Sequence, residues 1–115
     1  MTDLEGLRTQ LRAFAAARDW DPFHSPKNLA MALSAEAAEL LEIFQWLTEE
    51  QSRRLDAQAR RAAADEVADV LLYLVRIADK LDLDLLAEAE RKLADNERRY
   101  PVEKARGSAK KYTEL

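Results

Sequence analysis

No cysteine occurs anywhere in the 115 residues, which excludes a disulfide framework and a thiolate metal site and points to a reducing compartment. Histidine is nearly absent too. His24 stands alone, so any metal must be held by oxygen ligands or by that one imidazole. Two glycines and three prolines leave few places for turns, and apolar residues recur at three- and four-residue steps, so the expected fold class is all-α with no useful strand. No apolar run is long enough for a membrane span, and the opening Met1-Thr2-Asp3-Leu4-Glu5 lacks the basic start of a signal peptide. These absences point to a cytoplasmic protein with no membrane partner. An excess of positive charge is also missing: the net charge is −4, which disfavours a nucleic acid polymer as partner, because such a surface must neutralise many phosphates.

What is present suits one compact domain over residues 1–115, because 48% hydrophobic content gives a core of workable size. A four-helix bundle is predicted. Leu4, Leu7, Leu11 and Phe14 line one face of a first helix, which ends near Arg18 or Asp19 where Trp20-Asp21-Pro22 breaks the pattern. Ser25-Pro26 reads as an N-cap with proline at the first helical position of a second helix, running to about Leu47. Thr48-Glu49-Glu50-Gln51 reads as a capping box opening a short helix or connector. A third helix is predicted from roughly Ala62 to Leu81 and a fourth from about Asp84 to Tyr100, where Pro101 stops it. Residues 101–115 are expected to be an irregular basic tail that orders only by docking.

Two acidic patterns carry the chemistry. Glu36-x-x-Glu39, with Glu42 one step on, lies in the second helix, and Glu66-x-x-Asp69 in the third; each pair shares a helical face. Packed together, two such helices assemble oxygen-only ligands of the kind Mg²⁺ or Mn²⁺ prefers. The competing reading is four ordinary solvated charges. Position on the helix decides between them: at ~100° per residue, Leu29, Leu33, Leu40, Phe44 and Leu47 form an apolar stripe, and Glu36 falls inside it between Leu47 and Ile43. A carboxylate placed there needs a cation. Glu66 lies beside Ile77 at the edge of the third helix's own stripe.

The third helix carries a second message. Leu72 and Val75 lie opposite Val67, Val70, Leu74, Ile77 and Leu81, so the helix is apolar nearly all round. Burial between subunits answers this, and a homo-oligomer, dimer or tetramer, is expected. Trp20, Phe23, Trp46 and Tyr73 supply flat rings near the acidic seam that can stack on a base. His24 is a candidate for a hydrogen bond to base or sugar. Basic residues gather in the last quarter, where Lys92, Asn96 and Arg99 share one face of the fourth helix and can donate to phosphate oxygens.

With these residues assembled, the chain resembles the MazG-like all-α nucleoside triphosphate pyrophosphohydrolases, most closely the branch containing the dCTP pyrophosphatases. The segments that carry the resemblance are Arg18-Asp19-Trp20, Phe23-His24-x-Pro26-x-Asn28-Leu29, Glu36-x-x-Glu39-Leu40-x-Glu42-x-Phe44-Gln45-Trp46, Asp65-Glu66-x-x-Asp69-Val70-Leu71-x-Tyr73-Leu74, and the end from Asn96 to Lys110-Lys111-Tyr112-Thr113. The resemblance implies Mg²⁺ on Glu36, Glu39, Glu66 and Asp69, and base recognition by the Trp20–His24 loop, Trp46 and Tyr73. It also implies substrate contacts from Asn28, Lys110 and Tyr112. In one respect the chain departs from that branch: the dCTP-specific members place a histidine in the first helix near the base, where Leu11 stands here. The expected reaction is metal-assisted hydrolysis between the α and β phosphates, giving a nucleoside monophosphate and pyrophosphate, with Glu39 or Glu42 accepting the proton. A non-catalytic helical oligomerisation module is the rival from another class. A di-iron helical protein is a weaker one, since it wants Glu-x-x-His pairs.

Overall fold

The computed structural model describes residues 2–115, which contain helices and no strand. Four long helices are present: α1 (Leu4–Ala17), α2 (Pro26–Phe44), α4 (Ala57–Lys80) and α5 (Leu85–Arg99), with two short ones, α3 (Glu49–Arg53) and α6 (Val102–Ala105). The chain divides into two compact units, Met1–Leu83 and Asp84–Leu115.

Local chemistry sets each start. Ser25 accepts from the Asn28 amide with Pro26 in the first turn of α2, and Thr48 and Gln51 form the reciprocal capping box of α3, both as the sequence predicts. Asp3, Asp56 and Asp84 cap α1, α4 and α5 in the same way. The Asp56 cap starts α4 at Ala57, five residues before the predicted Ala62, because Ala57–Arg61 are sound helix formers that lack an apolar period. Conversely, α2 stops at Phe44 rather than Leu47. Thr48 must be extended to cap α3, and the Leu47 amide closes back on the Phe44 carbonyl at 2.9 Å.

Both α1 and α4 end in a Schellman arrangement with an aspartate in the left-handed region. Asp19 has φ 53° and Asp82 φ 54°, and the amides of Trp20 and Leu83 donate to the carbonyls of Ala15 and Ala78 at 2.9 and 2.8 Å. The first of these turns aims Trp20 and the 3₁₀ turn Asp21–Phe23 away from the α1 axis.

Within the first unit α4 is the central helix: α2 packs along it most extensively and α1 packs on it as well. Ala15, Leu29, Val75 and Ala78 are buried. Leu72 and Val75 therefore face inward and serve the chain's own core, contrary to the subunit-facing role expected from their position opposite Val67 and Leu74. The uncovered stripe of α4 is the other one, Val67, Leu71 and Leu74, spaced at i, i+4 and i+7 and all exposed.

In the second unit, residues 101–115 are not the irregular tail expected. Pro101 ends α5 yet accepts from the Lys104 and Ala105 amides to start α6, and a 3₁₀ turn follows at Tyr112–Glu114. Tyr112 lies edge-on to Tyr100, ring centroids 6.1 Å apart, with the Arg99 guanidinium 4.9 Å over its ring.

Candidate active site

Three carboxylates meet where α2 crosses α4. Glu36 and Glu39, one turn apart on α2, and Glu66 on α4 each offer an oxygen within 4.8 Å of the others. No ion pair among the described residues involves any of the three. Oε2 of Glu36 and Oε2 of Glu66 are buried without a hydrogen-bond partner, an arrangement that is costly unless a proton or a cation is supplied. The proton alternative is favoured at Glu66, which is pushed up to about 7, first by the facing Glu36 carboxylate, then by desolvation and by the neighbouring Glu39. Oxygen-only, acceptor-only and unneutralised, this donor set fits a hard divalent cation.

Two of the predicted acids lie outside the group. Glu42 continues along α2 as an exposed side chain. Asp69, one turn beyond Glu66, lines a cavity next to Glu36 and is not among the three clustered carboxylates. Angular arithmetic places an acid on the correct side of its helix, but the approach of the neighbouring helix decides which turn it meets.

The cavity holds about 220 Å³ and runs from this acidic seam toward α1. Leu11, Phe14 and Ala15 of α1 form one wall, Trp20 and His24 close the loop end, and Glu36, Asp69, Leu72, Tyr73 and Arg76 complete it. Phe14 and Trp20 pack edge to face at 5.5 Å, and Trp20 and His24 at 6.2 Å, an aromatic lining on which a planar base can stack. Of the predicted substrate residues, Trp20, His24 and Tyr73 line this cavity. Phe23, Asn28 and Trp46 do not. Asn28 instead donates from Nδ2 to the Phe23 carbonyl at 3.0 Å, tying the loop to the first turn of α2, while Phe23 and Trp46 are exposed, the latter 86%.

Lys92, Asn96, Arg99, Lys110 and Tyr112 all belong to the second unit. There Lys92 and Arg99 share Asp95 at 3.4 and 3.3 Å, Asn96 accepts from the Tyr100 amide through its carbonyl, and Lys110 is exposed.

Sequence reasoning missed Arg76. It is 5% exposed, and its guanidinium serves three partners: Nε donates to His24 Nδ1 at 3.2 Å, and the terminal nitrogens reach Asp21 at 2.9 Å and Asp79 at 3.5 Å. Arg12 of α1 grips Asp79 with two nitrogens, and Lys80 donates to Asp21 at 2.7 Å. Asp79 is held below the ordinary carboxylate value by its hydrogen bond from Arg12, and Asp21 by Lys80 and then Arg76. His24 is lowered, first by desolvation and then by the Arg76 charge, both of which favour the neutral ring. The signal that exposes Glu36 also exists here, since Arg76 and Asp79 follow Leu72 at i+4 and i+7 on an otherwise apolar face.

An all-α scaffold thus gathers three carboxylates beside an aromatic cavity, a set of groups suited to a hydrolase, and comparison with known proteins gives the family. Residues 31–115 match the MazG-like family. Over 114 residues, 97% of the chain, it is 44% identical to dCTP pyrophosphatase 1 of Bos taurus and 45% identical to that of Mus musculus, covering 68% and 67% of those proteins. A pyrophosphatase of solved structure from Archaeoglobus fulgidus superposes with a TM-score of 0.82 at 38% identity, over 88% of this chain and 94% of that one. The chain belongs to the MazG-like family and is a hydrolase.

Proposed function

We infer that the chain hydrolyses a deoxynucleoside triphosphate to its monophosphate and pyrophosphate, with a magnesium ion, replaceable by manganese, held by Glu36, Glu39 and Glu66. The observation that carries this reading is the pair of buried, unpartnered oxygens on Glu36 and Glu66, beside an aromatic cavity that Glu36 lines. When bound, the cation supplies charge neutralisation for the phosphates and activation of water.

The chain's own residues do the rest. Trp20 and Tyr73 hold the base by stacking and His24 bonds its edge. Glu39, the exposed member of the acidic cluster, accepts the proton of the attacking water. Asp69, which lines the cavity with Glu36, would be a further carboxylate available to the cation.

Leu11, Phe14 and Leu72 make one cavity wall apolar. Such a wall tolerates a 5-substituent and discriminates weakly between bases that differ in polar groups. dCTP and its 5-substituted forms are therefore the expected best substrates, with leakage to other nucleotides, and the biological role is cleansing of the nucleotide pool. The Val67, Leu71 and Leu74 stripe supports a homo-oligomer, and the cysteine-free composition supports residence in the cytoplasm, where no helix among the described residues is long and apolar enough to cross a membrane. A non-catalytic module would leave its acids solvated, whereas Glu36 and Glu66 each keep one oxygen buried. The test is pyrophosphate release over a panel of nucleotides with Mg²⁺: dCTP, 5-methyl-dCTP, dTTP, dUTP and dATP. Release from none of them contradicts the reading, and a clear purine preference contradicts the pyrimidine pocket.

A further inference from the structure

We infer that Arg76 is a positioning residue for substrate recognition, one that fixes the single imidazole of the chain as a hydrogen-bond donor at the aromatic end of the cavity. The argument begins with valence. A guanidinium has five N–H groups, no lone pair to offer, and does not deprotonate. Arg76 Nε lies 3.2 Å from His24 Nδ1, so Nδ1 must be the acceptor and the proton of the neutral ring sits on Nε2. Moving that proton to Nδ1 would set two donors face to face.

Arg76 has no freedom to relax this constraint. Its terminal nitrogens are engaged by Asp21 and Asp79, which Lys80 and Arg12 hold in turn. His24 Nε2 has no hydrogen-bond partner among the described residues, and the ring lines the cavity with Trp20 packed edge-on at 6.2 Å. A fixed Nε2–H accepts as partner a keto oxygen, a bare ring nitrogen or a sugar oxygen, and it disfavours an exocyclic amine at the same point. Base discrimination by His24 is thus set through its Nδ1 by Arg76, whose Nε and terminal nitrogens are turned to His24, Asp79 and Asp21. This inference rests on the nucleotide reading above.

The test has one arm that needs no turnover. His24 is the only histidine, so ¹⁵N NMR of the tag-free chain reads its two ring nitrogens without ambiguity. The expected wild-type spectrum at neutral pH shows a bare Nδ1 and a protonated Nε2. Arg76→Lys keeps the charge against Asp21 and Asp79, but a single ammonium nitrogen lacks the planar spread by which three separate nitrogens reach the three partners, and a mixture of tautomers is expected. A wild-type ring protonated at Nδ1 overturns the inference whatever the variant's stability.

The second arm is a double-mutant cycle on the best substrate. Arg76→Lys is expected to raise KM about tenfold with kcat changed by no more than about twofold, and to add nothing further in a His24→Ala background. An equal effect in both backgrounds means that Arg76 acts through the fold alone and overturns the inference. Failure of the wild type to hydrolyse any nucleotide removes the functional reading but leaves the tautomer result standing, so the two failures are distinguishable.

Discussion

Around Arg76 every acid has a base: Asp79 faces Arg12 and Arg76, and Asp21 faces Lys80 and Arg76. Around Glu66 there are three acids and no base, and two of their oxygens are buried without a partner. Both clusters stand on α4, within three turns of each other, and both draw on a second element of the first unit. The difference lies in what completes them. The Arg76 cluster is closed by the chain itself and fixes the geometry of the loop. The Glu66 cluster is not closed by the chain, and the cation proposed for it would supply the missing charge.

The largest expected effect breaks the open cluster. Glu36→Gln and Glu66→Gln should each lower kcat/KM by roughly a thousandfold or more while leaving helicity unchanged by circular dichroism, and Asp69→Asn should be impaired as well. Activity near wild type in the Glu36 or Glu66 variant removes those residues from the site. The closed cluster should respond in the opposite currency. Arg76→Leu takes from Asp79, whose side chain is nearly buried, one of its two bases and from His24 its donor, and should cost about 1–3 kcal/mol in urea unfolding; a loss below about 0.5 kcal/mol would show the network to be decorative.

The pH dependence sharpens the contrast, because the two clusters have opposite signs. Asp79 and Asp21 are held below their ordinary 3.8 and His24 below its ordinary 6.5. Their stabilisation is fully present above those values and is lost as pH falls through the lower folded ones. Glu66 runs the other way. With its value raised from 4.5 to about 7, its favourable contribution is present below 4.5 and is lost as pH rises to 7. In EDTA, wild type should therefore weaken relative to Glu66→Gln between pH 4.5 and 7, and Mg²⁺ should abolish the difference. Parallel pH curves for the two proteins would contradict the account.

How much of this was legible in the sequence depends on distance along the chain. Ser25-Pro26 and Thr48 to Gln51 are local chemistry, complete within four residues, and both caps form as read. Glu36 was legible because an acid inside an apolar helical stripe is anomalous within its own helix. Arg76 is anomalous in the same way, a charge on the face of Leu72, but its role was not legible, since its partners His24 and Asp21 lie 52 and 55 residues away and only the folded chain brings them to it. The same limit explains Leu72 and Val75: their periodicity revealed two apolar faces on α4 but not which of them α1 and α2 cover.

The smallest expected effect concerns the uncovered face. Val67→Glu and Leu71→Glu lie on exposed positions of α4 and should change the stability of the isolated chain by no more than about 0.5 kcal/mol, yet dissociate the assembly in sedimentation. Leu72→Glu and Val75→Glu, by contrast, should unfold it. A wild type that sediments as a monomer with full activity sets the oligomer aside.

The central claim is that three carboxylates left unsatisfied by the chain are the site of a divalent cation used to hydrolyse a triphosphate. Its most direct test is pyrophosphate release from dCTP by the wild type and Glu66→Gln, with Mg²⁺, with EDTA, and with EDTA followed by excess Mg²⁺. The account predicts turnover by the wild type that EDTA abolishes and Mg²⁺ restores, and none by Glu66→Gln under any of the three conditions. Wild-type turnover that persists in EDTA, or a Glu66→Gln variant that matches the wild type, would contradict it.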